Sequence, residues 1–396
     1  MFNSTIWFLF ILAIGFTACQ PKETEEINPS SNNEYLVGNR LVGEYTASQI
    51  SSRLFGMDAR LGVAATYPVR VHRIVYKTPN ADSTMLEASG ALIIPSTGKI
   101  RGVVSLQHGT IVNDNDAPSN YQRGSEAYSY GSALASAGYV VVCPDYIGYG
   151  ASKNVPHPYE HRQTLASASL NMLRASREFL RANNVPFEKL FISGYSEGGF
   201  ATMSMQKMLE EKFPGEFPLT ASTCGAGAYH KSRFMSHVIN ETTAGQADFN
   251  RSYVWVLLTY DRLYKLNRPA GFYFKEPYAA EVQARQSGAN VAVSLNTTFT
   301  EGFRKGIMDG SDTGFIKAVK DNDVHDWKPQ TPTRLYHGDA DQYVFYFNSE
   351  SALAAMQKRG AAQVELVRLP GHNHETGVLE YAKGTFDFFA KFSPAK

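Results

Sequence analysis

The chain has 396 residues, 43% hydrophobic and 19% charged, with 32 Gly and 18 Pro. This is ordinary globular composition and excludes a disordered, collagen-like or coiled-coil chain; at ~150 residues per domain it suits two or three units, or one large α/β domain with an insertion. With 38 basic against 37 acidic side chains and a formal net charge of +1, nucleic acid is not an expected partner, and three cysteines are too few for a disulfide scaffold and lack zinc-site spacing.

The first element is an address. Ile6–Phe16 (IWFLFILAIGF) is uncharged over eleven residues. That is short of the ~17 or more that a spanning helix needs and suits the apolar region of a secretion signal. Residues 1–18 are therefore predicted to be a signal peptide. Phe16-Thr17-Ala18-Cys19 resembles a bacterial lipobox, which would make Cys19 a lipid anchor holding the protein in the cell envelope. Two departures are that no Lys or Arg precedes the apolar run and that Phe16 stands where Leu is usual. Plain cleavage near Ala18, giving a secreted or periplasmic soluble protein, is the alternative. Residues 19–34, rich in charge, Pro, Asn and Ser, read as a flexible tether.

Thr46–Phe55 reads as a short helix opened by an N-cap Thr. From Val69, VRVHRIVYKT alternates apolar and polar, Pro79–Asp82 turns, and ALIIPS follows, which predicts an antiparallel hairpin. Strands are then expected at Gly102–Gln107, Tyr139–Cys143, Lys189–Ser193 and Leu219–Cys224. Helices are expected at Gly124–Ala137, Thr164–Ala182 and Gly198–Lys212. After a long interval come strand Thr333–Tyr336, helix Ser349–Arg359, strand Val364–Leu369 and helix Val378–Phe392. Short apolar strands alternating with helices imply a mostly parallel, doubly wound sheet covered on both faces, with the hairpin at one edge. Residues 225–330 lack strand rhythm; an insertion there, at the carboxyl end of a strand, would lie over the ligand crevice. The expected organisation is a core in two parts, 35–224 and 331–396, interrupted by a helical lid at 225–330.

Gly194-Tyr195-Ser196-Glu197-Gly198 lies between a predicted strand and a predicted helix. So tight a bend brings its flanking residues almost into contact, which glycine permits. Ser196 would then stand proud of the sheet at a helix N-terminus, where developing negative charge is favoured. A serine hydroxyl needs a base, and the base an orienting acid. The late strands end in His337-Gly338-Asp339-Ala340-Asp341 and Leu369-Pro370-Gly371-His372-Asn373-His374. Both runs are at carboxyl ends, where side chains can reach the serine.

These three motifs resemble the α/β-hydrolase superfamily. Gln107-His108-Gly109-Thr110 and Pro144-Asp145-Tyr146-Ile147-Gly148-Tyr149-Gly150 resemble its secreted lipase/esterase branch. The likeness covers about residues 69–392 and is absent from 225–330. It implies an α/β-hydrolase fold and a serine hydrolase that cleaves carboxylic esters through an acyl-enzyme, without cofactor or metal. Ser196 would be the nucleophile. The acid would be Asp341, four residues after His337, with Asp339 as alternative. The base would be His374, as in L-P-G-x-x-H, with His372 as alternative. The oxyanion would meet the backbone N–H groups of Glu197 and of Thr110, the latter placed by likeness to the H-G-x motif. The expected partner is a small-molecule or lipid ester, with membrane contact only through the N-terminal anchor. A peptidase of the same fold and a non-catalytic binding protein on a hydrolase scaffold are the rivals.

His108 and Asp145 read as structural loop residues, and His157 and His161 as surface or packing residues. With the superfamily's strand order, Cys143 and Cys224 lie three inter-strand steps apart, ~14 Å at ~4.8 Å per step, which predicts free thiols. Tyr253–Tyr278 holds eight aromatics in 26 residues, against 12% overall, for a lid wall facing substrate or for the lid's own core. Asp309, Asp312, Asp321, Asp323 and Asp326 lack calcium-loop spacing and read as a solvated surface.

Overall fold

A computed structural model describes residues 33–56 and 65–394. The predicted signal peptide, Cys19 and most of the 19–34 tether lie outside the described residues.

The chain begins with strand β1 (Leu36–Tyr45) and helix α1 (Ala47–Phe55), which a Thr46/Gln49 capping box opens. The antiparallel hairpin of β2 (Val69–Pro79) and β3 (Met85–Pro95) follows. Next come β4 (Gly102–Gln107), α2 (Ser132–Ser136), β5 (Tyr139–Pro144), α3 (Arg162–Ala182), β6 (Leu190–Tyr195), α4 (Glu197–Lys212) and β7 (Leu219–Gly225). Between β7 and β8 the described elements are helical: α5 (Lys231–Asn240), α6 (Ala247–Leu263), α7 (Ala270–Tyr273), α8 (Tyr278–Arg285), α9 (Glu301–Met308) and α10 (Thr313–Asp321). β8 (Thr333–Gly338), α11 (Phe347–Lys358), β9 (Val364–Leu369) and α12 (Gly377–Phe392) complete the chain.

The nine strands form one sheet, ordered β1-β2-β3-β5-β4-β6-β7-β8-β9. The first three strands and the β3–β5 pairing are antiparallel; from β5 onward the pairings are parallel. Every residue of β4, β5 and β6 is buried, as expected of strands covered on both faces. Successive residues point to opposite faces. Val103, Val140, Val142 and Ile192 pack with Leu170 and Leu173 of α3 and Met205 and Leu209 of α4. Val104, Val141 and Phe191 pack on the other side with Leu54 of α1, Leu134 of α2 and Phe389 of α12. The α/β-hydrolase fold and its edge hairpin are therefore present.

Differences from the sequence reading have local causes. β1 was not expected: it is an edge strand of mixed burial with two register shifts near Gly38 and Gly43, so alternation is blurred. The expected helix 124–137 is a single π-type turn, Ala127–Gly131, running into the short α2. Cys143 and Cys224 are buried and free, on β5 and β7 with β4 and β6 between.

The acidic stretch is a correction. Asp312 grips Arg268 with a two-pronged pair (2.6 and 2.7 Å), and Asp321 pairs with Arg162 of α3 (2.6 Å). Asp323 accepts from the backbone and hydroxyl of Ser232, and Asp326 pairs with Arg359. Only Asp309 keeps to its own turn, accepting from Ser311 N–H (2.9 Å). Spacing could not show this, because Arg268, Arg162, Ser232 and Arg359 are all distant in sequence from the acids they meet. Where insertion meets core, Lys231 and Glu160 form a buried ion pair. Burial raises Glu160 and lowers Lys231, and each partner's charge pulls the other back.

An apolar cluster fills the insertion, takes in Tyr260, Tyr273 and Phe274 of the aromatic run, and reaches Val344 after β8. Trp255 faces elsewhere, into the cleft over Ser196. Helix α6 thus has two working faces. Asp248, Arg251, Ser252 and Trp255 line the cleft, while Tyr253, Val254, Leu257 and Tyr260 line an apolar cavity of ≈ 70 Å³ within the insertion.

Candidate active site

β4 pairs with β5 on one side and with β6 on the other, so the connections leaving their carboxyl ends diverge and open a crevice there. Ser196 follows β6, and Gly109 and Thr110 follow β4. Ser196 has φ 58° and ψ −124°, a conformation that costs a residue with a Cβ ~1–3 kcal/mol. Close backbone packing enforces it. A Cβ on Gly194 would fall 2.2 Å from the Gly198 carbonyl oxygen, and one on Gly198 2.1 Å from that of Gln107. The Ser196 N–H donates to the Gly225 carbonyl (2.9 Å), tying the turn to β7.

Loops after β8 and β9 bring the partners. Ser196 Oγ lies 2.8 Å from His374 Nε2, and His374 Nδ1 lies 2.6 Å from Asp341 Oδ2. Because Nδ1 faces a carboxylate, it carries the ring proton and Nε2 is left to accept from the serine. The other Asp341 oxygen accepts the backbone N–H groups of Tyr343 and Val344, both at 2.9 Å. Burial, the largest influence on Asp341, would raise it. Hydrogen bonds and charge from His337 and His374 outweigh that together and hold it at about 2. The alternatives are turned to other tasks: Asp339 pairs with Arg368 and the Gly371 N–H (both 2.6 Å), and half-buried His372 is bonded to the Thr376 carbonyl (2.9 Å). Ser196, His374 and Asp341 come together; Asp339 and His372 do not join them.

Glu197 is the first residue of α4, so its N–H is one of the helix's unpaired amino-terminal donors. The Gly109 N–H is already committed to Glu126 Oε1 (2.8 Å), and Thr110, next along, lines the same cleft as Ser196. Burial is the main influence raising the Glu126 carboxyl. The cleft is ≈ 760 Å³, with Tyr130, Trp255 and Tyr343 among its aromatic walls and Arg123, Arg251 and Glu375 among its polar ones. Trp255 stacks on Tyr159 (4.3 Å between centroids, 12° between planes).

Two family models match the chain. That of the secretory lipases covers residues 121–252, which agrees with export, and that of the prolyl oligopeptidase family covers residues 285–393. No curated protein matches in sequence. Among solved structures, a Legionella pneumophila protein is 26% identical at TM-score 0.81, over 92% of this chain and 99% of that one. The rice cell wall degrading esterase LipA of Xanthomonas oryzae is 27% identical at TM-score 0.76, over 90% and 96%. Candida antarctica lipase A, 14% identical at TM-score 0.62 over 90% and 83%, shares the fold. The chain is an α/β hydrolase that resembles esterases and lipases.

Several residues of this hydrolase's site were not reached from sequence. His337 is fully buried; its Nε2 faces the Val344 carbonyl (2.6 Å) and Asp341 Oδ2 (3.3 Å), and its Nδ1 faces Ser349 Oγ (2.7 Å). It lies inside the H-G-x-x-D run, yet spacing says nothing about where its ring turns. His157 is buried, with Nε2 2.9 Å from Glu197 Oε1 and Nδ1 2.6 Å from the Ile147 carbonyl. Glu197, the residue after Ser196, is thus held by its side chain, whereas the sequence points to its backbone as the useful part. His108 Nδ1 lies 2.7 Å from the Gly109 carbonyl and its Nε2 3.2 Å from that of Asp145. Asp145 accepts from Ser119 N–H (2.7 Å) and Ser89 Oγ (2.6 Å), so its partners lie beyond its own loop. Among the described residues no helix is long and apolar enough to cross a membrane.

Proposed function

We propose that the protein hydrolyses carboxylic esters through an acyl-enzyme. The observation that carries this reading is the unbroken chain from Ser196 Oγ to His374 (2.8 Å) and from His374 to Asp341 (2.6 Å) at the crevice. Ser196 attacks the ester carbonyl while His374 Nε2 takes its proton, and Asp341 stabilises the imidazolium. The oxyanion meets the N–H groups of Glu197 and Thr110, each worth about 3 kcal/mol in the transition state. His374 then gives its proton to the departing alcohol, and a water activated by the same imidazole resolves the acyl-enzyme. The substrate is a small-molecule or lipid ester taken up under α6. Cys19, through its resemblance to a lipobox cysteine, would hold the hydrolase on a bacterial membrane, and no other membrane contact is proposed.

A second reading rests on the prolyl oligopeptidase-family match over residues 285–393. Amide hydrolysis uses the same three side chains, so geometry at Ser196 does not separate the two. Turnover of p-nitrophenyl acyl esters, acetyl to palmitoyl, should exceed that of aminoacyl anilides. The reverse order would favour the peptidase. A fluorophosphonate should label the protein and fail to label Ser196→Ala; absence of labelling in folded wild type would favour a binding protein and overturn both.

A further inference from the structure

Apart from Ser196, the described residues contain one cluster of metal-ligating side chains: His230, Asp323 and His325, whose ligand atoms lie within 4.8 Å of one another. His230 lies between β7 and α5, where the insertion begins; Asp323 and His325 lie after α10, where it ends. The two segments are joined by the Val324 N–H donating to the Tyr229 carbonyl (3.0 Å). Asp323 is aimed by Ser232, which donates its backbone N–H (3.0 Å) and its hydroxyl (2.5 Å). The His230 backbone is held by Asn348 (3.2 Å). Such outer contacts orient metal ligands where metals bind.

The imidazoles themselves are not satisfied. Nδ1 of His230 and Nδ1 of His325 are buried without a hydrogen-bond partner, and the nearest carboxylate oxygen to the latter, Asp323 Oδ1, is 3.8 Å away. Two buried orphan ring nitrogens beside a carboxylate call for a cause.

We propose that His230, Asp323 and His325 bind a divalent zinc-type cation that ties the start of the insertion to its end. Two imidazoles and one carboxylate, with water in a fourth position, suit zinc; oxygen-seeking calcium or magnesium would want more carboxylates and carbonyls. The two rings lie face to face, 3.7 Å between centroids and 17° between planes. In-plane lone pairs of two nearly parallel rings do not converge on one point, so one ring turns about its side-chain bonds to close on the ion. The site stands apart from Ser196, and the ion takes no part in ester chemistry.

The test is zinc equilibrium dialysis of the chelator-stripped protein, with Co²⁺ as spectroscopic stand-in. Wild type should retain one zinc per chain and give the intense visible bands of four- or five-coordinate cobalt. His230→Gln and His325→Gln should each weaken zinc at least about tenfold, the loss that even outer contacts cost at such sites. His372→Gln, which removes an imidazole outside the cluster, should bind as wild type. Retention unchanged in both cluster variants, or lost in His372→Gln, would overturn the proposal. So would wild type that retains no zinc or shows no such cobalt bands, a result that does not depend on how a variant folds.

Discussion

Gly198, at the turn after Ser196, and Gly302, in α9 of the insertion, occupy opposite surroundings. A Cβ at Gly198 would fall 2.1 Å from the Gln107 carbonyl oxygen, whereas at Gly302 nothing lies within 4 Å. The sheet's carboxyl edge is held backbone against backbone, with no room for a methyl group. The insertion is held by side chains: an apolar cluster shared with Val344 after β8, and ion pairs such as Arg268–Asp312, Arg162–Asp321 and Lys231–Glu160. Precision at the serine comes from the first kind of packing. The shape of the cleft roof comes from the second.

The comparison can be broken or sharpened at graded cost. Replacing Ser196 by Ala should lower kcat about 10⁶-fold with near-UV circular dichroism unchanged; retained turnover would move the chemistry elsewhere. Gly198→Ala forces strand and helix apart and should destabilise by several kcal/mol, about the upper range for single changes, with activity lost in whatever remains folded. Lys231→Met leaves Glu160 buried without its partner and should cost about 3 kcal/mol in denaturant unfolding, partly recovered by adding Glu160→Gln.

Acid should expose Asp341. Its carboxyl is held at about 2 in the folded protein against an unfolded value of ~3.9. The resulting stability, about 2 kcal/mol, is present above the unfolded value and is lost as pH falls towards the folded one. The difference in Tm between wild type and Asp341→Asn should therefore shrink between pH 4 and pH 2. The smallest effect belongs to Gly302→Ala, which should stabilise α9 by up to about 1 kcal/mol and leave kcat/KM unchanged. A loss of stability there would show that the insertion packs as tightly as the elbow.

What could be read from the sequence follows the same divide. β4, β5 and β6 announce themselves because strands buried on both faces are short unbroken apolar runs. The Gly194–Gly198 bend is visible because only glycine fits its flanks. β1 was missed because an edge strand facing water on one side, with two register shifts, carries no clean period. Asp341 and Asp339 share one loop, and only the paths of their side chains separate them: one accepts from His374, the other from Arg368. The contacts of His157 and His337 are hidden from the sequence because their partners, Glu197 and Asp341, are brought to them by folding. The partners of Asp312, Asp321, Asp323 and Asp326 are hidden from the sequence for the same reason.

Helix α6 carries a consequence of its own. One face meets whatever lies over Ser196, and the other meets the cavity inside the insertion. Refilling that cavity with larger or smaller apolar groups would shift Trp255 and its neighbours without altering a single residue that touches substrate. Selectivity in this hydrolase can thus drift from behind, through changes that leave the reactive machinery untouched and that a comparison of cleft residues alone would overlook.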